Sequence, residues 1–113
     1  MNEKKLAVSD LYDYYGALLS DKQKFAVEMY YNDDLSLSEI AESIGITRQG
    51  VRDQLKHAEQ YLEHCENLLG FAAKSRRIQT LSEELLRLCE KNETIPSAEV
   101  RLRAEEITEL IIG

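Results

Sequence analysis

Apolar residues recur at helical spacing along nearly the whole chain, and the breaks between stripes fall at residues that cap or end helices. Residues 4–19 place Leu6, Leu11, Tyr14, Tyr15, Leu18 and Leu19 on one side of a first helix. Ser20 opens S-D-K-Q, a capping box with Gln23. A second helix should then run from Asp21 to about Asn32, with Phe25, Ala26, Met29 and Tyr30 as its stripe. Asn32-Asp33-Asp34 ends it as a turn, because these residues lack the ligand spacing of a calcium loop. No alternating β-branched run is bounded by turn residues, so the fold class predicted is all-α.

The stretch from Ser36 to Ala58 organises the rest. Ser36 caps a helix and Glu39 completes its capping box. Ile40, Ala41 and Ile44 form the buried stripe, and the small Ala41 lets a second helix cross closely. Gly45 stands where the chain must leave the helix, a position that favours positive φ. Ile46 re-enters the core, Thr47 caps the next helix, and Val51 and Leu55 point inward together. The spacing Ala41–Gly45–Val51 predicts a helix-turn-helix. Without a nucleic-acid role the same stretch would be an ordinary αα-hairpin.

The second of these helices does not stop early. Val51, Leu55, Ala58, Leu62, Cys65 and Leu69 repeat as a heptad seam, widened by Tyr61 and Leu68, and Gly70 ends it. Beyond it, Ile78, Leu81, Leu85 and Leu88 repeat, with Leu86 and Cys89 alongside and Ser82, Glu84 and Arg87 solvated. Asn92 to Ser97, containing Pro96, breaks that helix. Residues 98–112 carry Val100, Ala104, Ile107, Leu110 and Ile111 as a last stripe. The chain thus divides into a helix-turn-helix domain, 1–70, and a C-terminal helical extension, 71–113. Two amphipathic helices cannot bury both stripes alone, so the extension packs on the long helix or on a second chain. A homodimer and packing within one chain are both open.

Charge changes the picture. The 113 residues carry a formal net charge of -7, with 31% charged and 43% apolar residues. Residues 1–70 hold seven Lys/Arg against thirteen Asp/Glu, and residues 71–113 hold seven against eight. The module with a DNA-binding form is therefore the acidic one, which argues against tight, salt-driven binding by a monomer. At about 100° per residue, Gln49, Arg52 and Lys56 share one outward stripe, with Arg48 at the helix start. Arg pairs with guanine, Gln with adenine, and Lys suits phosphate. The alternative is a plain solvated face, and Asp53 beside the stripe would repel phosphate. Gly50 sits inside the same helix, where it costs up to about 1 kcal/mol relative to Ala. Lys74, Arg76 and Arg77 form a second basic patch. Tyr12, Tyr14 and Tyr15 read as core and rim residues rather than as base-stacking platforms.

Little else carries chemistry. Cys65 and Cys89 read as reduced thiols, and His57 and His64 complete no zinc spacing. There is no Gly-rich phosphate loop, no G-x-S-x-G and no paired His/carboxylate motif, so no enzyme, metal or cofactor is expected. The N-terminus lacks a signal-sequence core and no apolar run reaches membrane length, so a cytoplasmic protein without membrane insertion is expected.

From Leu19 to about Leu69 the chain resembles the region-4 helix-turn-helix of bacterial sigma factors, through S-L-S-E-I-A-E-S-I-G-I-T-R-Q-G-V. It is more similar still to the YlxM family, through L-S-D-K-Q-K-F, Y-Y-N-D-D-L-S-L-S-E-I-A-E, I-T-R-Q-G-V-R-D-Q-L-K and Y-L-E-H-C-E-N-L-L-G-F. The likeness is specific over the first 70 residues and loose over the rest. It implies a bacterial regulatory protein of a family typically encoded beside the protein component of the signal recognition particle. That family has no established catalytic residues and no cofactor. By motif position, Arg48, Gln49, Arg52 and Lys56 would face the nucleic acid, either DNA or the particle's RNA. The alternative function is a protein-interaction adaptor that docks on the particle's GTPase subunit without sequence-specific DNA binding.

Overall fold

A computed structural model describes the backbone of residues 3–91, 94 and 96–113, and their side chains from Ala7 onward. The elements are α1 (Glu3–Tyr15), a 3₁₀ turn (Gly16–Leu18), α2 (Asp21–Val27), a π-helical turn (Glu28–Asn32), α3 (Leu37–Ile44), α4 (Arg48–Leu69), α5 (Phe71–Lys91) and α6 (Ser97–Ile112). No strand occurs among the described residues. The chain separates into two compact units, 1–70 and 71–113.

In the first unit the local signals act as their chemistry dictates. Ser20 and Gln23 form a reciprocal capping box at the start of α2, and Ser36 and Glu39 form another at α3. The Ser36 backbone N–H, and then its hydroxyl, hold the Glu39 carboxyl below its ordinary range. Gly45 takes φ 71°, and the N–H groups of Gly45 and Ile46 both donate to the Ala41 carbonyl. That closes α3 in the left-handed turn that glycine adopts without strain. The Thr47 hydroxyl caps α4 by accepting the Gly50 N–H at 2.9 Å. Gly50 is thus the third residue of α4 rather than an interior position. A Cβ there would lie 3.1 Å from the Thr47 hydroxyl and 3.4 Å from Ile46 Cδ1, so glycine gives the cap room.

α4 is the spine of this unit, packed by α1, α2 and α3. Val51, Leu55, Ala58, Leu62 and Cys65 are buried at the predicted spacing, and Val8, Tyr15, Ala26, Val27, Tyr31 and Ile40 close over them. The seam ends sooner than expected: Leu69 is 45% exposed. Tyr15, the last residue of α1, bonds to α4 at Glu66, and Leu69 lies beyond that tie. Tyr61 and Leu68 point away from the seam and are also exposed.

Two irregular turns correct the predicted stripes. The first helix stops at Tyr15, and the tighter 3₁₀ turn swings Leu18 outward while Leu19 stays buried. Tyr14 is on the surface, and Val8 takes the core position; the Leu6 side chain lies outside the described residues. Gly16 is buried, and the Tyr12 ring packs so close that an added Cβ would sit 2.7 Å from it. The π turn, with the Asp33 N–H donating to the Glu28 carbonyl, holds one residue more than an α turn. The buried residues here are Ala26, Val27 and Tyr31, whereas Phe25 is exposed and Met29 and Tyr30 are half-buried. The turn then ends with Asp34 at φ 56°, a left-handed position that Asp tolerates.

Three tyrosine hydroxyls tie these helices together. Tyr12 donates to Glu28 Oε1 at 2.5 Å, Tyr15 to Glu66 Oε1 at 2.6 Å, and Tyr31 to Glu59 Oε1. Tyr12 and Tyr15 therefore serve packing, as expected. Burial first, and then the bond to the Glu28 carboxylate, push the Tyr12 phenol from 10.0 up to about 12. Because the neutral form is favoured in the fold, this contribution is complete below pH 10 and disappears as pH rises to about 12. We expect Tyr12 to ionise above the ordinary tyrosine range in a near-ultraviolet alkaline titration, and Tyr12→Phe to reduce that late step by one phenol. A wild-type titration with no step above the ordinary tyrosine range would contradict the assignment.

The second unit pairs α5 with α6. Arg77 donates twice to Glu106, at 2.5 and 3.0 Å, and Arg103 donates to Glu84 at 3.2 Å, which sets the helices antiparallel. The pair holds the Glu106 carboxyl below, and the Arg77 guanidinium above, its ordinary value. Leu81 is buried, while Ile78, Leu85, Leu88, Val100, Ile107 and Leu110 are half-covered. Ala104 and Ile111, expected on the last stripe, are exposed. The covered strip of α6 follows Val100, Arg103, Ile107 and Leu110, so Ala104 and Ile111 fall at its margin. Leu86 and Cys89 are exposed as well. α5 ends at Lys91 and α6 begins after Pro96, and within the predicted break Asn92, Glu93 and Ile95 lie outside the described residues.

Candidate nucleic-acid interface

The first turns of α4 present the site. Val51 and Leu55 lock one side of the helix into the core, so the opposite side must face outward. Arg48, Gln49, Arg52 and Lys56 are all exposed there, as their spacing predicted. Neither Arg48, Arg52 nor Lys56 forms an ion pair with another described residue. Gln49 behaves differently: its Nε2 donates to Asp53 Oδ1 at 3.1 Å. The carboxylate beside the stripe is therefore engaged by an amide rather than by a cation.

The start of α4 departs from the usual electrostatic rule. Helix first turns favour Asp and Glu, which complement the positive end of the helix dipole. α2, α3 and α6 follow this with Asp21, Glu39 and Glu99. α4 has no acidic residue in its first turn and begins with Arg48. A cation at that position costs helix stability and adds to the field available to an outside anion.

Charge then reverses along the helix. Arg48, Arg52 and Lys56 lie in the first half, and Glu59, Glu63 and Glu66 lie in the second. Glu59 and Glu66 are drawn toward the core by Tyr31 and Tyr15. α3 adds no cation, since its exposed positions include Ser38, Glu39, Glu42 and Ser43. Glu39, Glu42 and Arg48 share the shallow cleft beside the Gly45 turn. A helix of about 33 Å thus offers a polyanion only its first three turns.

The structure does not keep the second basic patch together as free charge. Arg77 is held by Glu106, Arg76 has interactions of its own, and Lys74 lines a cleft with Glu106 and Glu109. Cys65 is buried and Cys89 exposed, both as free thiols. Among the described residues no group of three or more His, Cys, Asp or Glu could hold a metal ion, and no helix is long and apolar enough to cross a membrane. The pairing of Gln49 with Asp53 went unread in the sequence, although its four-residue spacing is the signal that could have shown it.

Two capped helices crossing at Ala41 around a left-handed glycine turn, with the second helix exposed at its start, define a helix-turn-helix protein. The chain belongs to the family described as "Putative helix-turn-helix protein, YlxM / p13 like", whose model matches residues 2–100. It is similar to a family member from Caldanaerobacter subterraneus, 47% identical over 85 residues that make up 75% of this chain and 73% of the relative. A Geobacillus kaustophilus member is 42% identical over 75% of this chain and 77% of its own length. A Bacillus thuringiensis member is 37% identical over 97% and 99% respectively.

Proposed function

We propose that the protein is a regulatory nucleic-acid-binding protein that docks end-on, through the first three turns of α4. The observation that carries this reading is the exposed set Arg48, Gln49, Arg52 and Lys56, whose three cations form no ion pair with another described residue, at the start of a rigidly packed second helix. Arg52 and Gln49 suit base edges, and Arg48 and Lys56 suit phosphates. Glu63 further along would meet the same backbone with the wrong sign, so the helix must enter a groove by its tip.

Binding to duplex DNA, followed by fluorescence anisotropy as salt is raised, tests this. The two phosphate-facing cations, Arg48 and Lys56, predict a slope near -2 in log K against log salt, at about -0.9 per neutralised phosphate. A slope near zero, or no binding at low salt, would overturn the reading.

We read this activity as part of the signal recognition particle pathway, a reading that the resemblance to YlxM proteins supports, with the particle's RNA as the other nucleic acid to test. The excess of carboxylates in residues 1–70 favours a second reading, an adaptor that docks on the particle's GTPase subunit through charge complementarity. Co-purification with that subunit that survives nuclease treatment would favour the adaptor.

A further inference from the structure

We infer that Asp53 is a specificity-determining residue: it orients the Gln49 amide so that this side chain accepts adenine and rejects guanine in the major groove of duplex DNA. The inference rests on the proposed docking of α4 and goes further, to the base that one side chain reads.

The argument is one of donors and acceptors. An ionised carboxylate only accepts hydrogen bonds, so only the NH₂ end of an amide can face it. Asp53 Oδ1 takes one N–H of Gln49 Nε2 at 3.1 Å. The amide keeps its second N–H and its carbonyl oxygen, Oε1, on the exposed stripe. One donor beside one acceptor complements adenine, which offers the N7 acceptor and the N6 amino donor. Guanine offers N7 and O6, both acceptors, so Oε1 would face O6 without a proton between them. A free glutamine could answer by turning its NH₂ group to the base and giving one N–H to N7 and the other to O6. Here one of those N–H groups already goes to Asp53, so donating both would break that bond and leave the carboxylate without its donor. The charge that looks adverse to phosphate binding thus acts as a lock on the amide. Asp53 could instead have met Lys56, three residues on, yet its partner is Gln49. The major groove of A-form RNA is too deep and narrow for side chains to read, so the ligand is DNA.

The test starts from duplexes selected by the whole protein out of a randomised library. The position read by Gln49 is the one whose preference Gln49→Ala removes. There the wild type should favour A·T over G·C by about tenfold. Asp53→Ala should reduce that preference to less than about threefold, while affinity for the selected duplex stays within a few-fold or rises as a negative charge is lost. The double variant should discriminate no worse than Gln49→Ala alone. A role confined to helix stability would lower the melting temperature of Asp53→Ala and leave base preference intact, and that result overturns the inference. So does a selected site with no position sensitive to Gln49→Ala. If the wild type binds duplex DNA with the expected salt slope and Asp53→Ala still prefers adenine, only the inference fails. If it binds only RNA, the inference fails and nucleic-acid binding stands. If it binds neither, both fail.

Discussion

Arg52→Glu together with Lys56→Glu should lower affinity for duplex nucleic acid at least about a hundredfold, nearly 3 kcal/mol. The double variant removes two of the three cations Arg48, Arg52 and Lys56 and puts two carboxylates in their place. Each lost base or phosphate contact costs binding, and each new negative charge opposes what remains. The acidic surroundings make the effect larger, because Asp53, Glu59 and Glu63 already flank the stripe. Both side chains are exposed and form no hydrogen bond or ion pair with another described residue, so the fold should be untouched. Circular dichroism melts superimposable on wild type would establish that. Unchanged affinity in a folded double variant would remove the first turns of α4 as the interface.

The largest effect on stability should come from Leu62→Ala. Leu62 is 0% exposed, about two-thirds of the way along α4 in the core of the first unit. Truncation there leaves a cavity and costs about 2–5 kcal/mol, a large part of the total for a small domain. Urea unfolding would show it as a lower midpoint with a similar slope. Leu68→Ala is the matched control: Leu68 lies on the same helix but is 71% exposed, and its truncation should change the midpoint little. Equal losses at the two positions would mean that the outer side of α4 is covered in solution.

The contrast between Leu62 and Leu68 also marks what could be read from residues alone. Signals that act within one turn were legible. Ser20 with Gln23, Ser36 with Glu39, Thr47, Gly45 and Gly70 each cap or end the helix expected of them, because each satisfies a backbone group only a few residues away. The seam on α4 held from Val51 to Cys65 because that helix keeps a regular period. Val8 sits in regular helix seven residues before the buried Tyr15, so its facing follows from the period itself, whereas the facings of Leu18, Phe25, Val27 and Tyr31 were not legible. A 3₁₀ turn at Gly16–Leu18 and a π turn at Glu28–Asn32 alter the number of residues per turn, so a constant 100° step loses the facing. At the candidate site, exposure of Arg48, Gln49, Arg52 and Lys56 followed from the buried positions of Val51 and Leu55. The ion pair that removes Arg77 from the second basic patch did not, because Glu106 lies 29 residues away on another helix.

Seen from a distant polyanion, α4 is a rod with a positive tip and a negative shaft, set in a chain of net charge -7. A field of one sign pulls such a rod by one end and pushes it by the other, so it exerts a torque before contact is made. Encounters would be turned tip-first, and those that arrive sideways would be repelled. With only about two or three counterions to displace, grip on an arbitrary stretch is weak and brief. The acidity that argues against indiscriminate binding would then serve as an aiming device, exchanging dwell time on wrong sites for orientation at the right one.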